Sequence, residues 1–203
     1  MRRTLVGLCC GAVLCPLYAD RLIEIPTGNL LYPERLAIEA GVLQGKPVRE
    51  RVLMSFRLGD WVEVQGARMG FENRLEVYGL QYSLYPEIPG YAPGISVGVW
   101  DVFGRTAQGR GYFVAVSYGI AALGQTPLDR DLRVHLGFGW GGMPSLFVGF
   151  DIPLTNQLFL RAEHTGAQIN AALAWRPREQ VEVRGAVVRG QTSWSIMIRL
   201  WAE

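Results

Sequence analysis

Two stretches of this 203-residue chain, Gly111 to Leu128 and Val134 to Phe150, run 18 and 17 residues without an Asp, Glu, Lys or Arg. By length alone either is long enough to approach a membrane-spanning helix. Glycine and proline forbid that reading. Gly119, Gly124 and Pro127 break the first stretch, and Gly137, Gly139, Gly141, Gly142 and Pro144 break the second. In a helix each glycine costs about 1 kcal/mol and each proline about 3 kcal/mol relative to alanine. The aromatic and β-branched residues between them favour extended strands.

A period of two confirms strands along the chain. Leu132, Val134, Leu136, Phe138 and Trp140 alternate with Arg133, His135, Gly137 and Gly139. Val52, Met54, Phe56 and Leu58 alternate with Arg51, Leu53, Ser55 and Arg57 in the same way. So do Ile169, Ala171, Leu173 and Trp175 with Asn170, Ala172 and Ala174, and Val181, Val183, Gly185 and Val187 with Glu182, Arg184, Ala186 and Val188. Turn signals such as Gly59-Asp60, Pro177-Arg178 and Gly190-Gln191 separate the runs. Twelve strands are predicted, near 35–43, 51–58, 61–66, 73–84, 94–102, 111–118, 132–140, 146–152, 158–164, 168–176, 180–189 and 193–201.

The first 19 residues have the form of an export signal: a basic Met1-Arg2-Arg3, an apolar run from Leu5 to Leu14, and Ala19 before the cut. Residues 20–203 then form a single domain. At about 10 residues per strand and about 5 per connection, twelve strands use roughly 180 residues, which fills it. All three cysteines (Cys9, Cys10, Cys15) leave with the signal, so disulfides and thiol chemistry leave too. Arg2 and Arg3 also leave, taking 20 basic and 18 acidic residues to 18 and 18. A neutral chain lacks the basic field that a nucleic-acid partner needs.

The polar face decides which solvent the apolar face meets. A soluble barrel turns its polar face to water and fills it with Lys and Glu, whereas this chain has one lysine, Lys46, in a predicted loop. Its polar face carries Arg57, Glu63, Glu76, Arg133, Asp151, Arg161, Glu163, Glu182, Arg184 and Arg199, spaced by Gly, Ala and Ser. Five arginines and five acids read as a charge network inside a narrow lumen. Trp140, Trp175, Trp194, Trp201, Tyr112 and Tyr118 fall at predicted strand ends, where a membrane barrel places its aromatic girdles. The fold class expected is therefore all-β: a closed antiparallel transmembrane β-barrel of about twelve strands. A soluble exported barrel binding an apolar ligand is the alternative.

Several segments resemble the YjbH-type outer-membrane proteins associated with exopolysaccharide production. They are Gly98-Val-Trp-Asp101-Val-Phe-Gly104, Tyr112-Phe-Val-Ala-Val-Ser117, Leu136-Gly-Phe-Gly-Trp-Gly141, Leu146-Phe-Val-Gly-Phe-Asp151, Arg161-Ala-Glu163 with Gly166, and Ile169 to Pro177. They cover about half of the exported chain, with an echo at Ile25-Pro-Thr27. The family's members are longer, and His164-Thr165 stands where the family has an acidic residue. The resemblance implies a barrel in the outer membrane, with outer-membrane lipid as its surroundings and polysaccharide or envelope proteins as partners.

Chemistry is sparse. Gly137-Phe-Gly-Trp-Gly-Gly142 satisfies G-x-G-x-x-G, but Met143-Pro144 follows where a dinucleotide site needs a helix. His135 and His164 are the only histidines, too few for a His-based metal site. A lipid-modifying barrel enzyme needs Ser, His and an acid at one rim, and no serine adjoins His164 in sequence. Asp151 and Glu163 as a sugar-cleaving pair would need one raised-pKa acid, which neighbouring arginines oppose. No catalytic, cofactor or metal site is expected. The function expected is a non-enzymatic outer-membrane barrel, structural or accessory to surface polysaccharide, with the lipid-modifying enzyme as alternative. Its lumen should be occluded by charge, and short connections leave little chain for a plug.

Overall fold

The computed structural model describes residues 22–31, 36–45, 49–70, 75–88, 90–120 and 131–200. The expected signal peptide and Trp201 lie outside them. Twelve strands follow in order: β1 (Leu36–Gln44), β2 (Arg49–Leu58), β3 (Val62–Met69), β4 (Leu75–Tyr85), β5 (Gly94–Trp100), β6 (Gly111–Ile120), β7 (Leu132–Gly141), β8 (Phe147–Pro153), β9 (Leu158–His164), β10 (Ile169–Arg178), β11 (Val181–Val188) and β12 (Gln191–Leu200). Each pairs antiparallel with its neighbours in sequence, and β1 pairs with β12, so the sheet is a closed barrel. The closing seam runs from Leu36↔Leu200 to Gln44↔Thr192. Every predicted strand is present, with ends displaced by a few residues.

An even number of antiparallel strands brings the start of β1 and the end of β12 to one rim, here called the near mouth. The β2–β3, β4–β5, β6–β7, β8–β9 and β10–β11 connections share it. The other six connections form the far mouth.

Outward side chains are apolar. Met54, Leu136, Phe138 and Ile196 are each more than half exposed, and Leu80, Leu173 and Ile198 stand in the same outward rows. Rings gather towards the rims: Tyr112 stacks on Trp140 at 5.7 Å, and Tyr78 meets Phe103 edge-on at 5.8 Å. A continuous apolar belt of this kind, with aromatic edges, is the exterior of a barrel that stands in hydrocarbon.

Inward side chains divide between charge and an unforeseen apolar core. Leu53, Val77, Trp100, Phe113 and Phe147 point into the lumen and are buried. Cross-strand glycines make room for them. A Cβ on Gly79 would stand 2.7 Å from Trp100, and one on Gly98 or Gly137 would collide with the rings of Phe113 or Phe147.

Arginine at Leu136 or Ile198, mid-strand and outward, should cost about 2–4 kcal/mol in a bilayer, measured by denaturant titration in lipid. Arginine at inward Ala172 or Ala186, tolerable on polarity grounds alone, is expected to fail for another reason. Both alanines are packed against buried side chains in the lumen, so added bulk must displace what fills it.

Candidate functional site: a peptide-filled, arginine-lined lumen

What fills the lumen is the chain itself. Residues 22–31 lie inside the barrel, with Leu22, Ile23, Ile25, Leu30 and Leu31 buried. This overturns the expectation that little chain is left for a plug, because the plug comes from the residues before β1 and not from a connection. Near the far mouth, the Glu163 carboxylate on β9 accepts backbone N–H groups from Ile23 (3.0 Å), Glu24 (2.9 Å) and Ile25 (3.2 Å). Three successive N–H groups converging on one anion form a nest. Asn170 steadies the same carboxylate at 2.8 Å and also reaches Glu24 at 3.2 Å.

Halfway along, Gln81 and Ser96 each donate to the Thr27 carbonyl at 2.9 Å, and Ser117 Oγ accepts the Gly28 N–H at 2.6 Å. At the near mouth the Leu31 N–H donates to Glu63 at 2.8 Å and its carbonyl accepts from Arg57 at 3.0 Å. Ser55 also donates to Glu63. The segment therefore passes from the far mouth towards the near one, bent at its start where the Leu22 N–H donates to the Ile25 carbonyl at 3.1 Å.

Side chains of the plug pack as well. Leu22, Ile23 and Ile25 join Phe147, Ala172, Ala186 and Val188 in one buried cluster. Gly149 leaves the space, since a Cβ there would stand 2.7 Å from Ile25 Cδ1. Gly28 is pressed against β5 and β6 so closely that a Cβ would collide with the Gly94 carbonyl oxygen and the Ser117 nitrogen.

Beside these contacts the wall carries a ladder of charge. Glu182 is fully buried, and four arginines converge on it. Arg161 binds it with both terminal nitrogens at 2.6 and 3.2 Å, Arg184 and Arg176 bind at 2.8 Å, and Arg199 at 2.9 Å. Asp151 lies 3.4 Å from Arg161 Nε. Arg184 reaches on towards Glu39 at 3.9 Å, and Glu39 binds Arg51 at 3.1 Å. The chain of ions thus runs round the wall from β8 through β9, β10, β11, β12 and β1 to β2. Buried donors remain on it: Arg184 Nε and Nη1, Arg176 Nε and Arg51 Nε have no hydrogen-bond partner among the described residues.

Sequence reasoning grouped these residues differently. Arg161, Glu182, Arg184 and Arg199 meet as neighbouring strands, but Glu163 binds the plug instead of an arginine, and Arg133 stands at the near mouth, half-exposed and 3.9 Å from Glu87. Arg57 also belongs to that rim, held to Asp60 at 3.1 Å. Glu76 is misplaced outright. It shares the outward row of Tyr78 and Leu80, opposite Arg68 and 3.9 Å from Arg105, at a strand end where a charge reaches the interface. Arg176 was passed over although it continues the inward row of Ala172 and Ala174 on β10; it lies over the ring of Phe159 at 5.0 Å. Glu39 and Arg51 lay in period-two runs and were passed over.

The two histidines separate. His164 Nδ1 accepts the Gly166 N–H at 3.2 Å in an exposed turn. His135 Nδ1 lies 2.6 Å from Ser117 Oγ, a Ser–His pair that sequence distance concealed. Both are buried, and Gly28 covers the hydroxyl, so no substrate carbonyl reaches it while the plug is seated.

Asp101, in the far-mouth connection after β5, receives the N–H groups of Arg105 at 2.8 Å and Thr106 at 2.6 Å. Burial pushes its carboxyl pKa up, but these bonds, the Thr106 hydroxyl and the Gly104 N–H outweigh burial and hold it below the ordinary value of 3.8. A lowered folded pKa means that the bonds stabilise the loop fully above the ordinary carboxylate range and release it as pH falls through the lowered value. Limited proteolysis of residues 101–110 should accelerate on acidification, and Asp101→Asn should remove that acid dependence.

Glu182→Gln strands buried guanidinium charge and should lower barrel stability by about 3–5 kcal/mol, read as a lower unfolding temperature. Glu163→Gln should instead spare the barrel and free residues 22–25, read as faster amide exchange confined to the plug.

No family model matches the chain, and no curated protein does. Among solved structures the fold is similar to that of a KdgM porin, at 13% identity and a TM-score of 0.53, over 82% of this chain and 99% of that one. A KdgM porin in complex with disordered oligogalacturonate matches over the same shares, at 12% identity and a TM-score of 0.52.

Proposed function

We propose that this protein is a non-enzymatic outer-membrane barrel, closed at rest by its own residues 22–31, that handles acidic saccharides of the cell envelope. The observation that carries the membrane reading is the inversion of the sheet: apolar side chains cover the outside, and Glu39, Glu63, Glu163, Glu182, Arg51, Arg161 and Arg184 are buried inside. In water that arrangement costs free energy on both faces; in a bilayer it costs none on the outer one.

The saccharide reading rests on the arginine ladder. Guanidinium groups recognise carboxylates in bidentate fashion, as Arg161 does at Glu182, and the ladder gathers Arg51, Arg161, Arg176, Arg184 and Arg199 on the lumen wall. The oligogalacturonate complex of the structurally similar porin supports an acidic sugar as ligand class, and the resemblance to YjbH-type proteins supports a connection with exopolysaccharide.

Planar-bilayer recording tests it. The intact protein should show little or no conductance, and the chain without residues 20–31 behind its signal should give stable steps that favour anions. Arg184→Gln in that shortened chain should reduce the anion preference. Large steps from the intact protein, or cation preference in the shortened one, would refute the reading. Recovery of the protein in periplasmic shock fluid instead of the sarcosine-insoluble membrane fraction would refute its location.

A further inference from the structure

The lumen holds residues 22–31 largely by their backbone, which wall side chains bind along the length of the segment. Glu163 takes three of its N–H groups, Ser117 takes one and Glu63 one, while Gln81 and Ser96 share a carbonyl and Arg57 takes another. Glu63, Gln81, Ser96 and Ser117 are fully buried and Glu163 is 2% exposed, so their polar atoms have been taken out of water to meet a peptide. Buried acceptors of this kind are costly when empty.

Side chains of the segment are recognised as well. An apolar pocket beside Gly149 takes Leu22 and Ile25, and a slot formed by β5 and β6 accepts a residue without Cβ at Gly28. Asn170 and Arg189 meet the Glu24 carboxylate, and the Asn29 amide donates to Glu87. A segment with branched apolar residues, an acid between them, and glycine three positions after the last of them satisfies these places. Nothing in this set of contacts requires the segment to be joined to β1; the wall would bind the same backbone arriving as a separate peptide.

We infer that the lumen is a peptide-binding site, and that residues 22–31 are its resident ligand, exchangeable for a free peptide of the same pattern. This goes beyond the saccharide reading and does not depend on it, because binding is read in detergent without any sugar or bilayer. It also gives the closed state a chemical meaning, since the conduit opens when a ligand leaves a site.

The test separates ligand from barrel after folding. A specific protease site placed between Leu31 and Leu36 is cut in detergent, and a fluorescent synthetic peptide of residues 20–31 is added. One labelled peptide per barrel should bind, the unlabelled peptide should displace it, and a scrambled peptide should not. A peptide with Gly28→Ala should compete at least about tenfold more weakly, about 1.4 kcal/mol. A second form, in which a Gly/Ser linker replaces residues 20–31, covers a fragment that never leaves. Failure of both forms to take up peptide, while each remains heat-modifiable on gels, overturns the inference. So does equal competition by the scrambled and native peptides. Neither failure touches the conductance results.

Discussion

Pairing β1 with β12 removes the two edges that a twelve-stranded sheet would otherwise expose. Every strand then finds its backbone partners inside the sheet, which is the condition for standing in hydrocarbon. Closure also sorts side chains by parity. One set has only the outside to face, and the other is enclosed in a space too narrow for bulk water. Polar groups in the second set must find partners among themselves or in something inserted between them. Both solutions are present, the ladder from β8 round to β2 and the plug, which shares strands with it: β9 gives Arg161 to the one and Glu163 to the other.

Donor and acceptor chemistry explains which residues take which solution. A segment of extended chain brings N–H donors and carbonyl acceptors in equal number. Glu163, Glu63 and Ser117 meet the donors, and Gln81, Ser96 and Arg57 meet the carbonyls. Arginine has no acceptor. It therefore cannot serve N–H groups, and the arginines collect instead around Glu182 and Glu39. The inward glycines serve the same enclosure by leaving room for large rings and for Leu22 and Ile25.

Strands were legible because their signal is local: alternation over eight or ten residues fixes parity, and glycine or proline marks the turns. The lumen was legible only where neighbours in sequence order are neighbours in the wall, as Arg161, Glu182, Arg184 and Arg199 are. Glu163 shows the limit. Its register partners are Gly149 and Asn170, neither of them basic, so the strand pairing already withholds a counter-charge; the nest that replaces it comes from 138–140 residues away. Leu22-Ile23 and Ile25 stood between the expected cut and the first strand with no strand to join, which was the one local sign of a plug. Glu76 was misjudged for a local reason, a strand end at the interface, whereas Arg176 continues the inward row of Ala172 and Ala174 and was legible but passed over.

The two sets of charges differ in balance. Among the described residues, Glu63, Glu87 and Glu163 of the wall lie along the plug with Arg57, Arg133 and Arg189 among them, whereas Arg51, Arg161, Arg176, Arg184 and Arg199 gather with Glu39, Asp151 and Glu182. Three acids against three arginines in the first set and five arginines against three acids in the second leave the excess of positive charge in the ladder. A carboxylated solute is drawn to the arginine wall and repelled from Glu63 and Glu163. A peptide backbone, neutral and rich in N–H groups, is suited to Glu163 and Glu63 and gains nothing from guanidinium donors at its N–H groups. The lumen is thus able to distinguish two chemical classes by the groups it presents, and it does so at close quarters, since Arg161 and Glu163 stand two residues apart on β9.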